Sequence, residues 1–210
     1  MPFKHSCFIS YCHGQGDVIR PFIEQLKAGL DSYLEPYLDE RVYIDEERLK
    51  PGYRFNAALA HALCESICMI VVYVPRYERH PYCLQEFAAM EALETARLAA
   101  LGLGEEEPLG LIIPIILRGR GHELPARIRE HRHYADFSRF TTASPDIRRN
   151  DEYARRLDDI AQYIHDMYQR FAAAGTDLCR DCASFRLPAA EAVRPWRHDG
   201  AARSEPFPFR

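Results

Sequence analysis

Residues Ile67–Val74 read "ICMIVVYV". Alternating polarity would mean one wet face, whereas an unbroken apolar run means a strand covered on both faces. A second run of this kind, "LGLIIPIIL", occupies Leu109–Leu117. Shorter ones lie at Cys7–Tyr11 ("CFISY"), at Arg41–Asp45 ("RVYID") and, more weakly, at Tyr134–Phe137. Helix-like stretches separate them: Asp17–Leu38, Tyr53–Glu65 and Pro81–Leu101, with a further one over Asp151–Ala173. Doubly covered strands alternating with helices predict a three-layer α/β fold around a parallel sheet. Ligands in such sheets sit at the carboxyl ends of the strands.

The chain has 210 residues, 47% hydrophobic and 28% charged, which suits one sizeable domain with an appendage. A formal charge of −4 gives no global attraction to nucleic acid. No apolar run approaches the ~20 residues that span a bilayer. The opening "MPFKHSCFISY" lacks the apolar core and cleavage site of a signal peptide and is expected to be a strand. Seven cysteines fall at 7, 12, 64, 68, 83, 179 and 182, without a disulfide-framework spacing. Several lie in apolar runs, where a free thiol packs as a small hydrophobe. The expectation is therefore free thiols in a reducing, cytoplasmic setting.

The α/β pattern is complete by about Ala173. The remainder, 174–210, has several prolines and no period, and reads as an extended tail or docking arm that the domain at 1–173 does not need in order to fold. Its Cys179-x-x-Cys182 pair resembles half a zinc site, with His198 as a third ligand, but no second pair follows. No metal site is expected.

The helix opened by Pro81 puts Cys83, Leu84, Phe87, Met90, Leu98 and Leu101 on one face. Glu86 falls at its edge, and Glu91 and Glu94 fall within it, so periodicity does not single out Glu86. Several catalytic motifs are absent or broken. Gly14 and Gly16 before a helix make only a partial dinucleotide fingerprint, since Ile19 stands where a small residue is needed. The plain reading is a flexible turn with Asp17 as cap. The acidic positions of a phosphoacceptor receiver hold Tyr11-Cys12-His13 and Val74-Pro75-Arg76, and no GxxxxGK[ST] loop exists. Cys12 beside His13 does not form a thiolate pair, because neighbours on an extended chain point apart.

Three segments in order carry a more specific signal: "HSCFISYCH" at the start, "VYIDEERLKPGYRF" over Val42–Phe55, and "ICMIVVYVPRYERHPYCLQE". Together they resemble the Toll/interleukin-1 receptor (TIR) domain family over about residues 4–172. The family's first box is matched by Phe8-Ile9-Ser10-Tyr11. Its second is matched by Tyr43-Ile44-Asp45 with Leu49-Lys50-Pro51-Gly52. Its "WCxxE" element is matched by Tyr82-Cys83-Leu84-Gln85-Glu86, with tyrosine in place of tryptophan and His80-Pro81 ahead of it. The resemblance implies a flavodoxin-like fold with a central five-stranded parallel sheet.

It also implies a function. Bacterial, plant and axon-degeneration members of the family cleave NAD⁺ between ribose and nicotinamide, while the animal receptor and adaptor branch is mostly scaffolding. Nicotinamide leaves a cationic glycoside as a neutral molecule and needs no general acid, unlike the leaving group of a two-carboxylate glycosidase. One carboxylate suffices to stabilise the sugar cation. No metal or redox cofactor is required, because NAD⁺ is the substrate. By the resemblance Glu86 is that carboxylate, Tyr82 stacks on a base or on nicotinamide, and Ser10, Tyr11, Asp45 and Cys83 complete the substrate cleft. Leu49, Lys50, Pro51 and Gly52 belong to a loop through which TIR domains self-associate. The product is ADP-ribose or a cyclic isomer. A chain that is little more than a TIR domain resembles the separate subunits of bacterial immune systems, which work with a partner that senses a trigger or the cyclic product. Neither a membrane nor a nucleic acid is an expected partner. Two other readings stay open: a non-enzymatic scaffold with a structural Glu86, and a nucleoside deoxyribosyltransferase, against which the "IDEERLKPG" loop speaks.

Overall fold

Strand β3, Ser66–Tyr73, is buried at every residue and lies at the centre of the sheet. In the computed structural model, which describes residues 3–13, 19–45, 55–104, 108–119, 121–141, 147–175 and 177–196, β1 (His5–Tyr11) and β2 (Arg41–Tyr43) lie to one side of it. On the other side lie β4 (Ile112–Ile116) and β5 (Ala135–Asp136). All neighbours are parallel, in the order β2-β1-β3-β4-β5. This is the five-stranded flavodoxin-like α/β arrangement that the sequence implies.

Helices α1 (Ile19–Leu34) and α5 (Asp151–Ala174) pack together on one face of the sheet. On the other face lie α2 (Phe55–Cys64) and α3 (Pro81–Ala100); a short α4 (Ala126–Arg129) precedes β5. Asn150 caps α5 by accepting from the amides of Glu152 and Tyr153, and Gly175 ends it in the left-handed region at φ 65°. Where the strands fall short of their apolar runs, sequence shows why. β5 has only two residues and pairs only with Ile115 and Ile116, just past Pro114, which has no amide hydrogen to give. Among the described residues no helix is long and apolar enough to cross a membrane.

Arg97, in the last turn of α3, is buried against expectation. Its guanidinium donates to the carbonyls of Cys64 (2.5 Å), Ser66 (2.8 Å) and Ile67 (3.4 Å) and lies 5.0 Å from the centroid of the Phe3 ring. A buried cation is tolerable when carbonyl dipoles replace water around it. Here it ties α3 to the start of β3.

The cysteine expectation is corrected. Cys64, at the end of α2, is disulfide-bonded to Cys182. The bond splits the Cys179-x-x-Cys182 pair, so those two residues cannot act together as half a zinc site; Cys179 stays a thiol and donates to the Cys64 carbonyl at 3.5 Å. His198 lies outside the described residues. The argument from free thiols to a reducing compartment falls with the disulfide. Nor is the segment after α5 a mere appendage. Residues 177–196 return to the α2/α3 face, with Cys182 buried, Gln85 donating to the Pro188 carbonyl at 2.6 Å and Trp196 seated on the core.

Candidate functional site

Strand β1 connects outward to β2, while β3 connects the other way to β4. Between β1 and β3 the order of the sheet reverses, and in open α/β sheets the ligand crevice lies at such a point, outside the carboxyl ends of the two strands. Ser10 and Tyr11 end β1 there, followed by Cys12 and His13. From the other side come the 3₁₀ turn Pro75–Arg79 and the first turns of α3. Pro81 at the first helical position keeps His80 extended, at φ −86° and ψ 112°, so α3 starts abruptly beside the end of β1.

Glu86 lies in the second turn of α3 and is 7% exposed. The Ser10 hydroxyl donates to its Oε2 at 2.5 Å, and Tyr77 Oη lies 2.7 Å from the same Ser10 oxygen. With Glu86 ionised, Ser10 spends its proton on the carboxylate and accepts one from Tyr77, which is fully buried. Burial pushes the Glu86 carboxyl up to about 8. The Ser10 bond pulls the other way, and the neighbouring charges of Asp45 and Cys12 push further up.

The other glutamates of α3 behave differently. Glu94 takes Arg132 on both oxygens, at 2.9 and 3.0 Å, and Glu91 takes Arg127 at 2.7 Å. Glu86 forms no salt bridge among the described residues. A buried carboxylate served by one neutral hydroxyl keeps its charge, once ionised, for something that enters the crevice.

Asp45 is also buried, paired with His13 at 3.7 Å, and His13 stacks on Tyr11 with ring centroids 4.5 Å apart. Ser10, Tyr11, Asp45, Cys83 and Glu86 therefore gather at one end of the sheet. Cys83 is buried and its sulfur lies 3.8 Å from that of Cys12 and 3.4 Å from His80 Nδ1. Tyr82 is placed otherwise: 46% exposed, it lines a cleft of about 760 Å³ with Asn56, Pro81, Gln85 and residues 186–191 of the returning arm. Leu49, Lys50, Pro51 and Gly52 lie outside the described residues.

Sequence reasoning missed Tyr77 and Trp196. Tyr77 sits in a short turn with no periodicity to mark it. Trp196 lies in a stretch without a pattern, yet it packs on Phe87 (centroids 4.7 Å apart) and Tyr77 (5.7 Å), and its amide donates to the Glu78 carbonyl at 3.1 Å. Glu78, buried, also accepts from the Tyr73 hydroxyl.

Comparison with curated proteins gives no match. The family model described as "TIR domain" matches residues 7–150, well over half of the chain and including every element of the crevice. The chain belongs to the TIR domain family.

Proposed function

We propose that this TIR domain is an NAD⁺ nucleosidase that breaks the bond between ribose and nicotinamide, with Glu86 as its catalytic carboxylate. The observation that carries the reading is a buried glutamate at the sheet's reversal point, held by the neutral Ser10 hydroxyl while its helix neighbours Glu91 and Glu94 are taken up by arginines. In the reaction the bond from C1′ to the pyridinium nitrogen breaks and its electron pair stays on nitrogen, releasing neutral nicotinamide. The positive charge passes to the sugar. Ionised Glu86 stabilises it and accepts from the ribose hydroxyls. Water then adds at C1′ and loses a proton to give ADP-ribose, or a nitrogen or hydroxyl of the same molecule closes a cyclic isomer.

Ser10 and Tyr77 orient the carboxylate. Asp45 and His13 line the approach, and Tyr82 offers an aromatic face to a base or to nicotinamide. Self-association through the loop containing Leu49, Lys50, Pro51 and Gly52 brings the domain to its working state, as part of a bacterial immune or signalling system in which a partner senses the trigger or the cyclic product. Incubation of the concentrated protein with NAD⁺, with chromatographic detection of nicotinamide, tests the reading. Release by the wild type and none by Glu86→Gln supports it. Equal rates in the two proteins refute it, and a folded, self-associating chain that releases none is the scaffold.

A further inference from the structure

Cys12, His80 and Cys83 form a cluster beside the crevice that the reaction above does not use. Their donor atoms all lie within 4.8 Å of one another, the only such group among the described residues. Cys12 is the first residue after β1; His80 and Cys83 flank the start of α3, three positions apart, so one turn of helix brings the imidazole over the thiol.

The spacings suit a thiophilic cation. Zinc binds sulfur at about 2.3 Å and imidazole at about 2.0–2.1 Å in a tetrahedron, which puts two sulfurs about 3.8 Å apart and sulfur about 3.6 Å from nitrogen. Here Cys12 Sγ and Cys83 Sγ are 3.8 Å apart, and Cys83 Sγ is 3.4 Å from His80 Nδ1. At these distances the three groups also make weak thiol hydrogen bonds, which hold the donors near ligating positions. Both cysteines are buried, while His80 is half-buried and leaves a path from solvent.

We propose that Cys12, His80 and Cys83 are a binding site for a zinc-type ion, with three protein ligands and the fourth position open to water. Binding forms two metal–sulfur bonds and one metal–nitrogen bond, and the thiol protons leave to solvent. Soft thiolates with one imidazole select zinc over magnesium or calcium. The site is independent of whether Glu86 cleaves NAD⁺.

Cobalt(II) is the probe, since tetrahedral cobalt with thiolate ligands has strong visible bands and thiolate-to-metal charge transfer. Added to the full chain in the absence of oxygen, it is expected to bind once, with that spectrum, and to be displaced by zinc. Removing a ligand should weaken binding by at least the ~10–100-fold typical of losing a mere supporting contact. His80→Ala is the decisive variant, because its partly exposed side chain can be lost without emptying the core; Cys83→Ser serves if circular dichroism finds it folded. Cys179→Ser should bind as the wild type does. The proposal is overturned by a spectrum without the tetrahedral bands, by unchanged affinity in His80→Ala, by loss of binding in Cys179→Ser, or by a thiol titration showing Cys12 and Cys83 oxidised to a disulfide in the purified chain.

Discussion

The Ser10 hydroxyl donates to Glu86 Oε2 at 2.5 Å, joining the end of the first strand to the second turn of α3. Glutamine at position 86 keeps an oxygen that accepts this bond and keeps the side-chain volume, so the fold should survive. What it loses is charge. Removing one preorganised electrostatic contact from a transition state typically costs ~10²–10³ in rate. Glu86→Gln is therefore expected to lower nicotinamide release by at least that factor, with an unchanged circular dichroism spectrum. Wild-type turnover by the folded variant would contradict the assignment.

A carboxyl raised to about 8 makes activity depend on pH in a definite direction. Only ionised Glu86 stabilises a sugar cation, so kcat/KM should climb with pH to a half-maximum near 8, because this ratio reports the free enzyme. Ser10→Ala removes the bond that lowers the Glu86 pKa, and should move the half-maximum to higher pH. A profile that is flat from pH 6 to 9 would sink the prediction.

The same carboxyl should mark the stability curve. Folded Glu86 keeps its proton where the unfolded chain releases it, so the native state binds more protons between the ordinary value of 4.5 and about 8. Its contribution is fully present below 4.5 and is lost as pH rises through 8. Each pKa unit between the two states corresponds to about 1.4 kcal/mol. Glu86→Gln should gain stability relative to wild type as pH rises, which urea melts at pH 5 and pH 8.5 would measure. An equal difference at both pH values would mean that Glu86 does not titrate as argued.

The strands were legible because burial on both faces writes itself as an unbroken apolar run, as in Ile67–Val74, and the helix after it because Pro81 announces its start. The candidate site was suggested only through the resemblance. On α3, Glu86, Glu91 and Glu94 look alike in sequence; what separates them is Arg127 and Arg132, more than thirty residues away. The returning arm was illegible for a related reason. Cys182 and Trp196 make their contacts with Cys64, Tyr77 and Phe87 across long separations, and a segment without periodicity carries no trace of what it packs against.

Tyr82 is 46% exposed, so its ring contributes little to the core. Tyr82→Ala should leave the melting temperature nearly unchanged, because surface substitutions usually stay within ~0.5 kcal/mol. If the ring stacks on the substrate, the same variant should raise KM or alter the ratio of linear to cyclic product, and Tyr82→Phe, which keeps the aromatic face, should restore both. A large loss of stability in both variants would place Tyr82 in the core instead.

The returning arm holds the site from behind. Trp196 is the only tryptophan of the chain, and it packs on Tyr77, whose hydroxyl meets Ser10, and on Phe87, the neighbour of Glu86. The disulfide from Cys64 to Cys182 closes a separation of 118 residues, which in a chain-entropy treatment stabilises the folded state by about 5 kcal/mol. Ending the chain at Gly175 should therefore lower the melting temperature, contrary to the simple expectation that a complete α/β pattern suffices. Trp196→Ala removes a partly buried ring and should cost about 2–3 kcal/mol, less than the ~3–5 kcal/mol of a fully buried aromatic. For a chain of this size that is a fall of roughly 5–10 °C. Since Tyr77 loses its brace, nicotinamide release should fall as well. The lone indole reports its own docking: its emission should shift to the red on reduction of the disulfide, before far-ultraviolet circular dichroism records loss of helix. A chain ended at Gly175 that melts at the wild-type temperature would show that the arm contributes nothing to the fold.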